Sequence, residues 1–182
     1  MTKQSSMTKS ALISRNTRYN QSVIDLLAEL ESLSEETLNR KTPTGGWSAI
    51  QTMHHLILTE ELSLAYVQKK LSFNPKLEPA DFAAQWRGFL LWAYLSTPLK
   101  FKAPKNVGDE NLPDRASFAE TCAKWQKIRT DWTDFMEKMP VELSNKAIYR
   151  HPRVGRLGWA QMMLFFETHL ARHSKQIYRA VQ

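Results

Sequence analysis

Apolar residues recur at helical spacing in four long stretches of the chain, and polar residues occupy the positions between them. In the first stretch Val23, Ile24 and Leu27 share one side, and in the third Trp125 and Trp132 belong to a single apolar stripe. We place the helices at about residues 12–33, 48–71, 117–139 and 159–182. Amphipathic helices of this length predict an all-α, four-helix bundle.

Local signals support the ends of the second and third helices. Ser48 followed by Gln51 is a capping box, in which each side chain satisfies a free amide of the first turn. Pro140 ends the third helix. The connections before helix two and before helix four are short, whereas residues 72–114 form a long one that permits a crossover. The predicted connectivity is therefore up-down-down-up, with helices two and four antiparallel.

The long connection contains an aromatic segment, residues 81–95, that has the composition of a short extra helix. Phe82, Trp86 and Phe89 share one side of this helix, while Trp92 points elsewhere. Packing of these rings into the core is the first expectation. A dimer surface or a lid over a pocket is the alternative.

Length and composition indicate one globular domain. The chain has 182 residues, of which 42% are hydrophobic and 24% charged. We expect residues 1–10 to be a flexible tail and residues 11–182 to be the domain. Cys122 is the single cysteine, the first residues lack the apolar core of a secretory signal, and no apolar run has the roughly 20 residues that span a bilayer. A cytoplasmic location without membrane insertion follows as the expectation.

Net charge suggests partners only weakly. The chain carries a formal charge of +7, which favours anionic partners in general. The basic residues are dispersed and no nucleic-acid recognition motif accompanies them, so nucleic-acid binding is disfavoured. Arg150, Arg153 and Arg156 precede the last helix, where they are candidates for holding an anionic group or are simply surface charges.

The histidines carry the strongest chemical signal. His169 and His173 are four residues apart, so both rings project from one face of helix four, roughly 6 Å apart along its axis. His54 and His55 lie in helix two, and antiparallel packing brings that pair to a similar depth. Helical geometry alone does not choose between His54 and His55. Two ligands from one helix and one from another would make a three-histidine metal site, with His151 left in a loop. The alternative is that His169 and His173 are ordinary core or edge histidines hydrogen-bonded to carbonyl groups.

Two groups of residues occur in a recognisable order and spacing. The start of helix two has Gly46-Trp47-Ser48, then Gln51, then His55-Leu56. The C-terminal part has His151-Pro152, Gly155 and Leu157, then His169, His173 and Gln176-Ile177. In both, the chain resembles the DinB-like (DNA-damage-inducible, YfiT-like) superfamily over nearly its whole length. Gly158 departs from the pattern, since it stands where the family often has a capping Thr or Ser.

The resemblance implies a four-helix bundle with up-down-down-up connectivity, often dimeric, and a divalent metal held by His55, His169 and His173. Three neutral imidazoles suit Zn²⁺ or Ni²⁺, with Fe²⁺ possible, and leave positions open for water or substrate. The implied activity is metal-dependent chemistry on a small thiol or anionic molecule, of the thiol S-transferase type or metal-assisted hydrolysis. A non-catalytic dimeric bundle with a structural or vestigial metal is the alternative.

Carboxylates near the histidines are candidates for catalytic or supporting roles. Glu60 and Glu61 follow His55 on helix two, and Glu167 precedes His169 on helix four. Such groups act as general bases or accept a hydrogen bond from a ligating imidazole. The simpler expectation for each is an exposed glutamate on a helix surface.

Overall fold

A computed structural model describes residues 7–97 and 103–182 of the chain. Within these residues the chain is mostly helical, with one small antiparallel hairpin. The helices are α1 (Lys9–Leu30), α2 (Glu35–Asn39), α3 (Ala49–Ser72), α4 (Phe82–Ser96), α5 (Phe118–Lys138) and α6 (Trp159–Val181). The strands are β1 (Tyr149–His151) and β2 (Gly155–Leu157), and short 3-10 turns lie at Lys105–Val107, Asp109–Asn111 and Val141–Leu143.

Most of the helices begin at a side chain that caps the first turn. The cap accepts a hydrogen bond from a backbone amide that has no partner inside the helix. At α3 the predicted capping box is confirmed, because Ser48 accepts from the Gln51 amide and the Gln51 side chain accepts from the Ser48 amide. The caps of α1, α2, α4 and α5 are Thr8, Ser34, Asp81 and Ser117.

α6 begins differently, at Gly158, which offers no side chain to cap the helix. A Cβ atom at this position would lie 2.6 Å from the Cβ of Ala80 and 3.0 Å from Oε1 of Gln161. The segment before α4 therefore packs so closely on the start of α6 that a serine or threonine has no room. Close packing accounts for the glycine where the family often has a capping residue.

The core lies where α1 and α3 each pack against α5 and α6. Large rings fill its centre, and the buried ones include Trp125, Trp132, Trp159 and Phe166. Trp132 meets Phe166 edge to face at a centroid distance of 5.6 Å, a favourable geometry for aromatic pairs. Of the apolar residues predicted for α1, Val23 and Leu27 are buried but Ile24 is half exposed.

The predicted helices are present, with changes at their ends. α1 begins at Lys9 and ends at Leu30, and the separate short helix α2 follows, so the predicted helix to residue 33 is too long. Residues 1–6 of the predicted tail lie outside the described residues. The stretch before α6, predicted as a loop, is the hairpin β1–β2. Gly155, at φ +84°, occupies the left-handed conformation that the turn requires.

The aromatic segment is a helix, but its rings do not enter the core. α4 packs on α6 through the small or medium residues Ala84, Gly88 and Leu91, which are buried. On its outer side Trp86 is 54% exposed and Phe89 is 49% exposed. The expectation that these rings pack into the core was therefore wrong, because the small residues allow the closest approach to α6 and take the inner side.

In the described part of the chain, no helix has both the length and the apolar character needed to cross a membrane.

Replacing Gly158 with Ser should destabilise the protein by about 1–3 kcal/mol, although Ser is the better cap, because the new Cβ overlaps Ala80. Chemical denaturation measures the loss. The companion change Ala80→Gly should restore part of the stability in the double variant. A more stable Gly158→Ser protein would contradict the close packing.

Candidate metal centre

Three imidazoles from two helices converge in the core. His55 comes from α3, and His169 and His173 come from successive turns of α6. Nε2 of His55 lies 3.1 Å from Nε2 of His169. The ring of His173 lies 4.8 Å from that of His55 and 4.5 Å from that of His169, centroid to centroid. One ring nitrogen from each histidine lies within 4.8 Å of the other two.

The opposite ring nitrogens of two of these histidines have fixed partners. Nδ1 of His55 lies 2.7 Å from the carbonyl oxygen of Val107, so it is the nitrogen that carries the proton and donates. Nδ1 of His173 lies 3.0 Å from Oε1 of Gln176, one turn further along α6. Such partners select the tautomer whose Nε2 lone pair is free. In both residues Nε2 is therefore the nitrogen available to bind a metal.

Burial keeps the three rings neutral. Their exposed fractions are 4%, 8% and 9% for His55, His169 and His173. Loss of solvation lowers the pKa of His173 to about 3, with a further contribution from His55. Burial, reinforced by His173 and His55, lowers the pKa of His169 well below its ordinary value. The pKa of His55 is also lowered by burial, although the Val107 hydrogen bond opposes the shift. Neutral imidazole is the form that binds metals.

The donor set fits a divalent metal ion. Two nitrogens bound to one tetrahedral Zn²⁺ at about 2.0–2.1 Å lie roughly 3.3 Å apart, close to the separation of the His55 and His169 nitrogens. Without a metal, the remaining ring nitrogens of three buried imidazoles can only hydrogen-bond to one another, and each polar group left without a partner costs free energy. The arrangement can therefore hold a metal ion through three protein ligands and leave a coordination position open.

The other two histidines have separate surroundings. His54 faces α5, where its Nε2 lies 3.1 Å from Oγ1 of Thr121. His151, at the end of β1, is buried and accepts a hydrogen bond at Nδ1 from the Arg153 amide. Its ring packs edge-on against Phe165, which in turn stacks on His169. His54 and His55 thus contact different helices. His151 lies beside the three-histidine cluster, with the Phe165 ring between it and His169.

Glu60 is buried, contrary to the simple expectation of a surface glutamate. Its side chain is 2% exposed and forms an ion pair with Arg129 at 2.6 Å. Its other oxygen accepts hydrogen bonds from Tyr19 at 2.7 Å and from Trp125 at 3.1 Å. Arg129 also donates to Asn20 and to Asn16. Glu60 is therefore the centre of a polar network that joins α1, α3 and α5.

The other two candidate carboxylates are partly exposed and paired. Both oxygens of Glu167 accept from the Arg15 guanidinium at 2.6 Å, which links α6 to α1. Glu61 lies 3.6 Å from Nζ of Lys124 on α5. The partners of the metal-centre imidazoles are instead Val107 and Gln176.

Sequence reasoning missed the loop that covers the cluster. Residues 103–113 supply the Val107 carbonyl, and within the same loop the carboxylate of Asp109 accepts from the indole of Trp47. The Trp47 ring lies 5.0 Å from the His55 ring, centroid to centroid. A backbone carbonyl leaves no signature in a sequence, and the Gly46-Trp47-Ser48 motif marked the start of helix two without placing Trp47 at the site.

The fold and the cluster define a helical protein built around three buried histidines. Residues 19–177, most of the chain, match the family model described as the DinB superfamily. The chain belongs to the DinB superfamily. Searches among curated proteins and among solved structures found no match.

Changing Glu60 to Gln should destabilise the protein by about 3–5 kcal/mol, because Arg129 is left as a buried charge without its counter-ion. Bound metal per folded chain should stay the same. Denaturation and elemental analysis measure the two effects, with Glu61→Gln as the control at a partly exposed pair, where about 0–1 kcal/mol is expected. A stable Glu60→Gln protein that lost its metal would instead make Glu60 part of the metal centre.

Proposed function

We propose that the protein binds one divalent metal ion through His55, His169 and His173 and uses it in chemistry on a small molecule. The observation that carries the proposal is the convergence of three buried, neutral imidazoles, with Nε2 of His55 and His169 3.1 Å apart. Zn²⁺ or Ni²⁺ suits this donor set, with Fe²⁺ as a further candidate. Membership of the DinB superfamily agrees with the proposal.

The reaction that fits best is thiol S-transfer, with metal-assisted hydrolysis as its nearest variant. A divalent metal on three neutral ligands lowers the pKa of a coordinated thiol or water and so supplies a nucleophile at neutral pH. In S-transfer the thiol loses its proton to solvent, its sulfur bonds to an electrophilic carbon, and the leaving group departs with its electron pair.

Several residues prepare the site for this role. The Val107 carbonyl and Gln176 hold the His55 and His173 rings in the tautomer with Nε2 free. Phe165 stacks on His169 at 5.1 Å, and Trp47 lies 5.0 Å from His55, so aromatic rings pack against two of the three ligands. Apolar surroundings strengthen the interaction between a metal and an anionic thiolate.

Each of the changes His55→Ala, His169→Ala and His173→Ala should remove the metal, because two imidazoles hold a divalent ion far more weakly than three. Gln176→Leu should weaken affinity by about 10–100-fold through loss of ring orientation. Elemental analysis of untagged protein purified without chelators measures occupancy. The matched controls are His54→Ala and His151→Ala, and equal metal content in all the variants would contradict the assignment.

The metal-loaded protein should accelerate the reaction of a low-molecular-weight thiol with a model electrophile such as 1-chloro-2,4-dinitrobenzene, in which a C–S bond forms and chloride leaves. Product absorbance follows the rate. The acceleration should disappear in His169→Ala and after chelation. Equal rates for His169→Ala and the unchanged protein would contradict S-transfer while leaving metal binding to be judged by occupancy.

One observation favours the alternative, a non-catalytic bundle with a structural metal. The three rings are at most 9% exposed. In the described part of the chain they line neither the pocket beside Arg87 and Arg156 nor the one beside Gly88 and Trp92. Metal binding together with inactivity towards thiols and hydrolysable esters would support this alternative.

We also propose that the protein is a homodimer joined through the outer side of α4. The stacked rings of Trp86 and Phe89 lie 5.5 Å apart, and Phe89 lies 5.8 Å from Trp92. Exposed aromatic rings clustered in this way are typical of interaction surfaces.

The double change Trp86→Asp and Phe89→Asp should convert the dimer to a 21.1 kDa monomer, because charge replaces the apolar contact. Sedimentation equilibrium measures the mass. Phe73→Asp is the control, since Phe73 is 71% exposed but lies outside α4. An unchanged dimer in the double variant would assign the interface to another surface.

We infer up-down-down-up connectivity for the four long helices. Contacts between Lys9 and Glu137 and between Asn16 and Thr133 support antiparallel α1 and α5. Contacts of Arg15 with Glu167 and of Glu29 with Tyr178 support parallel α1 and α6. The contacts that support parallel α3 and α5 are His54 with Thr121 and Glu60 with Arg129.

A cytoplasmic location stays a prediction, supported by the single cysteine.

A further inference from the structure

Three arginines line a shallow, open pocket of about 270 Å³ between α4 and the hairpin. Arg150 belongs to β1, Arg156 to β2, and Arg87 to α4. The fourth lining residue is Gly155, and Nε of Arg87 lies 4.0 Å from the place where a Cβ atom of Gly155 would be. The Arg87 guanidinium also donates to the Arg156 carbonyl at 3.4 Å. The pocket is thus lined by cations from three elements, α4, β1 and β2.

The hairpin separates this pocket from the histidines. Arg150 and Arg156 are directly opposite each other in the ladder, and both are exposed. The alternate residues Tyr149, His151 and Leu157 are buried on the other face. On that face His151 packs against Phe165, and Phe165 stacks on His169. Because side chains alternate between the two faces of a strand, the arginines and the metal centre occupy opposite sides of the hairpin.

The pocket brings three like charges close together. Like charges directly opposite in an antiparallel pair are destabilising, and a third cation in the same pocket adds to the repulsion. Among the described residues, the salt bridges that form do not involve Arg87, Arg150 or Arg156. An anion in the pocket would relieve the repulsion.

We propose that this pocket is a second site, independent of the metal centre, that binds a phosphoryl group. Guanidinium groups offer paired donors that match phosphate oxygens, and three positive charges favour a dianion over a monocarboxylate. The phosphoryl group belongs either to a soluble molecule or to a lipid headgroup, and both present the same oxygens to the arginines.

The first test is thermal unfolding of the metal-loaded protein in increasing inorganic phosphate, with chloride at equal ionic strength as the reference. Binding should produce a saturable rise in Tm of about 2–4 °C. Arg87→Gln, Arg150→Gln and Arg156→Gln should each lose this rise. Phosphate also stabilises folded proteins by exclusion from their surface, so the difference between variants is the decisive readout.

Two matched variants make the result specific. Arg18→Gln removes the same charge from an exposed position on α1 and should keep the full response. His173→Gln alters the metal centre and should also keep it. An equal rise in Tm in Arg156→Gln and in the unchanged protein would overturn the proposal. Loss of the rise in His173→Gln would also overturn it, because phosphate would in that case be acting at the metal.

A second arm identifies the source of the phosphoryl group. Flotation with vesicles that contain phosphatidic acid is compared with flotation on neutral vesicles. Capture that depends on Arg156 supports the site with a lipid as its ligand, and a phosphate response without capture supports it with a soluble ligand. The proposal would be overturned if the vesicles do not capture the protein and the phosphate response is the same in the arginine variants as in the unchanged protein.

Discussion

Keeping three imidazoles neutral and convergent inside an apolar core is the constraint on which the rest of this molecule depends. Each ring loses its solvation on folding, and burial lowers the pKa of all three, of His173 to about 3. A buried polar ring is tolerated only where both nitrogens have partners. The Val107 carbonyl and Gln176 satisfy the outward nitrogens of His55 and His173, and Nε2 of His55 faces Nε2 of His169 at 3.1 Å. A shared metal ion is the partner that such an arrangement suits.

The surrounding elements can be understood as the means of holding those rings in place. α3 and α6 bring the ligands together, while the Glu60–Arg129 pair fixes α3 to α5 on another side of the helix. Residues 103–113 close one side of the cluster through Val107, and Asp109 anchors the loop to Trp47. The inner face of the hairpin closes another, where His151 packs on Phe165. Buried networks of this kind favour a unique packing over adaptable contacts.

Local patterns predicted the features that depend on local geometry. The Ser48–Gln51 capping box and the four-residue spacing of His169 and His173 are properties of a single helix, and both occur as expected. The long helices followed from apolar periodicity. Helical geometry could not distinguish between His54 and His55, because α3 packs against both α5 and α6. His54 contacts α5 and His55 contacts α6.

The remaining features depend on contacts between distant parts of the chain. Glu60 is buried because Arg129, far along the sequence, supplies its counter-ion, and nothing near Glu60 indicates that partner. The aromatic residues of α4 suggested a core helix, but the side that packs was decided by how closely Ala84 and Gly88 approach α6. The hairpin before α6 was missed because its strands have only three residues each.

Anomalous diffraction at the absorption edge of the bound metal, from crystals of the metal-loaded protein, would locate the ion relative to the three histidines. We expect a single strong peak about 2.0–2.2 Å from Nε2 of His55, His169 and His173, with a further position open to solvent or substrate. A peak elsewhere on the protein, or no peak in fully loaded crystals with the three rings bonded only to one another, would contradict this expectation.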